Sequence, residues 1–129
     1  MRYLTEEEFN ITSRFLFLSM AIVVLEKDIT HIENGAFKIK EPYLKLLRHM
    51  EQIAKNERRR LREKMRKGKM DVVYIQKNDT FSTYLFIVRG YEEERRYFNP
   101  AVRKKVENIY QELMIEALKG HAQFLSEAY

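Results

Sequence analysis

The chain has 129 residues, 45% hydrophobic and 33% charged, which describes one domain (1–129) with a real core and excludes a disordered chain. It has no cysteine, which excludes disulfides, thiolate metal sites and cysteine nucleophiles; four glycines and two prolines favour long elements over loops. The net charge of +5 is local: Glu57 to Lys69 holds eight basic and two acidic residues, +6, leaving −1 for the rest.

Thr5 and Glu8 form a T-x-x-E capping box, and Glu6, Glu7 and Glu8 suit the positive end of a helix dipole. A first helix is therefore expected over about residues 5 to 33. Asn34-Gly35 should close it, since both tolerate the left-handed conformation that ends helices. Phe15 to Leu25 is apolar except at Ser19. At 11 residues, against the roughly 20 of a bilayer span, it reads as a buried core helix. The acidic start at Glu6-Glu7-Glu8 is unlike a signal peptide, so a cytoplasmic, membrane-free protein is expected.

In Ala36 to Lys40, Phe37 and Ile39 alternate with lysines, the pattern of an extended segment pinned to the core. Pro42 suits a first helical turn and opens a second helix over residues 42 to 67. Tyr43, Leu46, Leu47, Met50, Ile53 and Ala54 recur at three and four as a buried stripe. Beyond Ala54 the stripe thins to Leu61 and Met65 among charges. The helix would be roughly 39 Å long, and its basic half is expected to project or to lie along the surface.

Met70 to Lys77 is rich in β-formers, and Asn78-Asp79 signals a turn. Thr80 to Val88 then returns, with Phe81, Thr83, Leu85 and Ile87 on one face and Ser82, Tyr84, Phe86 and Val88 on the other. Tyr91 to Phe98 lacks alternation and is read as a short helix. Asn99 as N-cap and Pro100 in the first turn open a third helix, which passes through Gly120 or breaks there. The fold class is α+β, mainly helical: three long helices with one β-hairpin between the second and third. The expected core is Phe15, Leu16, Met20, Val23, Leu47, Met50, Val106, Ile109 and Leu113.

No catalytic motif is present: no glycine-rich phosphate loop, no G-x-S-x-G, no H-E-x-x-H. His31, His49 and His121 are far apart in sequence, and Glu92, Glu93 and Glu94 with Arg95 and Arg96 read as a solvated charge run. A non-enzymatic protein with no cofactor and no metal is expected, an unrecognised enzyme site being the remote alternative. The basic run is the one functional lead. Arg58, Arg62, Arg66 and Lys69 form one stripe, Arg59, Glu63, Arg66 and Lys67 occupy the adjacent one, and Lys64 joins the basic residues as a candidate contact. Guanidinium groups at one-turn spacing suit phosphates, and Tyr74, Phe81, Tyr84 and Phe86 would suit stacking on single-stranded bases. Two functions follow. In the first, the chain is a protein-interaction or assembly module. In the second, it is a nucleic-acid-binding regulator using helix 57–69. The expected partners are a second copy in a homodimer, since helix one is apolar on more than one face, and nucleic acid or an acidic protein.

The order helix, extended segment, helix, hairpin, helix resembles winged-helix modules in topology. Those need two helices meeting at a turn before the wing, and residues 42 to 67 hold no glycine or proline break, so no residue roles carry over. Thr80-Phe81-Ser82-Thr83-Tyr84-Leu85-Phe86, with Gly90-Tyr91-Glu92-Glu93 and Arg96-Tyr97-Phe98-Asn99-Pro100, resembles small uncharacterised proteins of spore-forming Gram-positive bacteria. That resemblance implies a bacterial cytoplasmic setting and no activity.

Overall fold

Helix α1 (Glu6–Glu33) starts on the expected capping box: the Glu8 amide donates to the Thr5 hydroxyl at 3.1 Å, and the Thr5 amide to the Glu8 carboxylate at 2.9 Å. The computed structural model describes residues 3–128, with side chains described through Gly120. The Thr5 amide and, beyond it, the Arg89 guanidinium hold the Glu8 carboxyl below its ordinary range.

Asn34 closes α1 in the right-handed region (φ −97°), so the expected left-handed residue is not used. The Lys40 ammonium instead donates to the Glu33 carbonyl at 2.8 Å, covering a group that the helix end leaves open. Phe37 and Ile39 are 51% and 69% exposed and do not pin to the core. Their link turns beyond the last core layer of Ile29 and Leu44, and Phe37 rests on Tyr43, with ring centroids 5.8 Å apart.

Helix α2 (Glu41–Lys67) runs unbroken from Pro42 in its first turn to Gly68, so no helix-turn-helix precedes the sheet. A Cβ at Gly68 would lie 2.5 Å from the Met70 Cε, the movable end of a flexible side chain. The left-handed residue falls one place later, at Lys69 (φ 54°).

The expected single hairpin is a three-stranded antiparallel sheet: β1 (Met70–Lys77), β2 (Phe81–Val88) and β3 (Tyr91–Phe98), in the order β1-β2-β3. The segment read as a short helix is therefore the third strand. Arg89 and Gly90, with φ 49° and 85°, make the two-residue turn that pairs Val88 with Tyr91. The turn signal was masked because arginine takes the slot usually held by Asn, Asp or Gly. The alternation was masked because the covered face of β3 carries Glu93, Arg95 and Tyr97. Arg95 pairs with Glu93 at 2.7 Å and lies 4.4 Å over the Phe9 ring, which makes two charges fit against α1.

Helix α3 (Asn99–Ala128) passes through Gly120 without a break. Asn99 bonds sideways with its side chain: its amide group donates to the Asn78 carbonyl at 2.9 Å, and its oxygen accepts from the Ser82 hydroxyl at 2.6 Å. The start of α3 is thereby tied to the β1–β2 turn.

Two apolar clusters hold the layers together. Leu18, Ala21, Leu25, Leu47, Met50, Ala54, Leu113 and Ala117 lie between the helices, where the three alanines let the axes approach. Leu4, Tyr84, Phe86 and Val88 lie between the sheet and α1. Leu47, Met50, Ile109 and Leu113 sit in the core as expected, and Leu16, Met20 and Val106 lie at its margin. Val23 is 51% exposed, contrary to expectation, because α1 turns that face away from both neighbours. Phe15 is buried, but outside both clusters. By length and composition α1 could cross a bilayer, with a mean hydropathy of 1.5 over an 18-residue stretch. In this fold its buried side packs against α2 and α3.

Candidate functional site

The basic end of α2 does not project. Met65 is 1% exposed, and Leu61 packs against the helical core, so this half lies along the body. Two of the singled-out arginines fold back over α1, Arg58 half-buried and Arg62 still exposed. Arg58 and Arg62 close over the Phe15 ring at 4.7 and 5.2 Å, and Arg58 Nε donates to the Ser19 hydroxyl at 2.8 Å. Arg66 pairs with Glu63 at 2.5 Å and holds that carboxyl below its ordinary range. The stripe of Arg58, Arg62 and Arg66 is therefore occupied with intramolecular work. Removing it should lower stability.

Arg59 makes one bond, to the Asn56 side chain at 3.3 Å. Arg60, Lys64, Lys67 and Lys69 are exposed and have no acidic partner among the described residues. Arg60, Lys64 and Lys67 fall at i, i+4 and i+7, about a third of a turn around the helix from Leu61 and Met65. Arg60 was missed as a site residue. The signal was available, since Leu61 and Met65 mark the buried side and a 3.6-residue period then points Arg60 outward.

The aromatics expected beside the basic run are split between faces. Tyr84 and Phe86 are 6% and 0% exposed, under α1; Tyr74, 59% exposed, lies on the same face with its ring 6.0 Å from Tyr84, while Phe81 is on the opposite face. They form no common stacking platform. Among the described residues no three His, Asp or Glu side chains gather as metal ligands.

A second surface lies on the far side of the sheet. The register places Val73 beside Leu85 and Leu85 beside Glu94, with Phe81 beside Phe98 and Ile87 beside Glu92. All of these point away from the helices. Leu85 and Ile87 are only half-buried and belong to neither core cluster, so among the described residues the flanking strands are their cover. Val73 and Phe98 are 42% and 54% exposed, and Arg96 lies 4.6 Å over the Phe81 ring. A solvated antiparallel face ordinarily carries polar residues. This one carries an apolar centre with Asp71, Glu92 and Glu94 at its borders. Three strands of this length cover roughly 400 Å², within the range of patches that mark interaction sites.

The molecule is thus a three-helix layer on one face of a meander, with the other face uncovered among the described residues. A family model described as YhjD protein matches residues 3–118, and the chain belongs to that family. The match includes both surfaces. The chain is 36% identical over 109 residues to the uncharacterized protein YhjD of Bacillus subtilis (strain 168), covering 84% of this chain and 91% of that one. The resemblance to proteins of spore-forming Gram-positive bacteria therefore holds. No solved structure matches the chain.

Proposed function

We propose that the chain is a non-enzymatic assembly module of the bacterial cytoplasm that works through the outer face of its sheet, with a second copy as its first partner. The observation that carries this reading is the row Val73, Leu85, Ile87, Phe81 and Phe98, which no other layer covers among the described residues. Roughly 400 Å² per partner is about half of a standard interface. The contact should be weak on its own, with a micromolar or weaker Kd. A dilution series followed by amide chemical shifts tests it. Shifts should move with concentration at β1 and β2, and concentration-independent spectra there would remove the reading.

The second reading is a nucleic-acid-binding regulator. Its support is the outward row of Arg60, Lys64 and Lys67 with Lys69, which makes no ion pair within 4 Å among the described residues. Fluorescence anisotropy with labelled DNA and RNA across a salt series tests it. Changing Arg60, Lys64 and Lys67 to Ala should flatten the log–log salt slope by about 3 units. Absence of binding at low salt would end this reading.

A further inference from the structure

A groove of about 750 Å³ opens where α1, α3 and the β1–β2 turn meet, on the opposite side of the sheet from the bare face. Its walls are apolar: Met20 and Val24 from α1 and Val102 and Val106 from α3. Its two ends are not. At one end Tyr110 donates to the Asp28 carboxylate at 2.7 Å. Burial and the Asp28 contact both push that phenol well above its ordinary range, so it stays a protonated donor.

At the other end stand Lys77, paired across the strands with Ser82, and Arg103, one turn into α3 from Asn99. The Ser82–Asn99 bond brings these two segments together. Neither Lys77 nor Arg103 has an acidic partner within ion-pair distance among the described residues. The first turn of α3 adds a positive dipole of the same sign. Tyr110 and Asn99 are about 16 Å apart along the helix. The groove is thus elongated and largely apolar in the middle, with Lys77 and Arg103 at one end and the carboxylates of Glu107 and Asp28 toward the other.

A concave apolar site with a few convergent polar groups is the usual form of a small-ligand site. We propose that this groove binds a small amphipathic anion, its carboxylate held by Lys77 and Arg103 and its hydrocarbon body lying along Met20, Val24, Val102 and Val106. This inference does not depend on the outer sheet face, and either can fail alone.

Three ten-carbon probes, used below their micelle concentrations, separate the possibilities: decanoate, decanol and decyltrimethylammonium. Calorimetric titration of the full chain should give one decanoate per chain, bound at least tenfold more tightly than decanol. Lys77→Glu with Arg103→Glu should weaken decanoate at least tenfold and leave decanol unchanged. Lys77→Met with Arg103→Met serves the same purpose if the charge reversal disturbs folding. Equal affinity for decanol, tighter binding of the ammonium probe, indifference to both variants, or no binding at all would overturn the proposal. So would a titration that only reports dissociation of two chains, since a second copy would then be the occupant.

Discussion

Changing Arg58 and Arg62 together to Ala should unsettle the junction of α1 and α2, although both lie in a run that composition alone treats as solvated charge. Each guanidinium covers the Phe15 ring, at 4.7 and 5.2 Å. Contacts of this kind contribute about 0.5–1 kcal/mol apiece. The Arg58 bond to Ser19 at 2.8 Å adds about 1 kcal/mol. Phe15 is 6% exposed with this lid in place. Uncovering a few tens of Å² of ring, at roughly 25 cal/mol per Å², adds up to about 1 kcal/mol more. The loss should total about 2.5 kcal/mol. With roughly 0.27 kcal/mol/K of unfolding entropy for a chain of this length, Tm should fall by about 9 °C. Urea unfolding and calorimetry read this directly. The control is Arg60, Lys64 and Lys67 changed together to Ala, which should stay within about 0.5 kcal/mol of the parent. An Arg58/Arg62 variant as stable as that control would refute the placement of these side chains over Phe15.

Other perturbations have equally definite expected outcomes. The Tyr97 hydroxyl is buried with no hydrogen-bond partner among the described residues, and burial raises its phenol above the ordinary range. Tyr97→Phe should therefore stabilise the fold by about 1 kcal/mol, and a loss of that size in urea melts would mean the hydroxyl is satisfied. The Glu8 carboxyl is held below its ordinary 4.5, so its contribution is fully present above pH 4.5 and is lost as pH falls through its lower folded value. The stability gap between the parent and Glu8→Gln should accordingly close on acidification below that point. A gap constant from pH 7 down to pH 3 would show that the charge on Glu8 contributes nothing.

The helices were legible because their signals are local. Thr5 with Glu8, Pro42, Gly68 and Asn99-Pro100 mark their ends within two or three residues of where they fall. Strand β3 was not legible, because its covered positions hold a charged pair whose fit depends on Phe9, more than eighty residues away in the chain. Asn99 illustrates the same limit: a cap-forming residue type was drawn into bonds with Asn78 and Ser82, which only the sheet brings near. At the basic run, residue types and the helix were readable, but its rotation was not used. Leu61 and Met65 bury one side, and that turns Arg58 and Arg62 toward Phe15 while Arg60 faces out. The bare sheet face was half legible. Phe81, Thr83, Leu85 and Ile87 were placed on one side of β2, yet only the tertiary packing decides which side the helices cover.

The most direct test of the assembly reading is sedimentation velocity across a wide concentration range on the parent chain and on Val73→Lys with Leu85→Glu. These two positions pair across β1 and β2, so the new charges are opposite and adjacent and the sheet should persist. The account predicts that the parent's sedimentation coefficient rises with concentration and that the variant stays monomeric, with an unchanged circular-dichroism spectrum. A parent that remains monomeric throughout, or a variant that associates equally well, would contradict it.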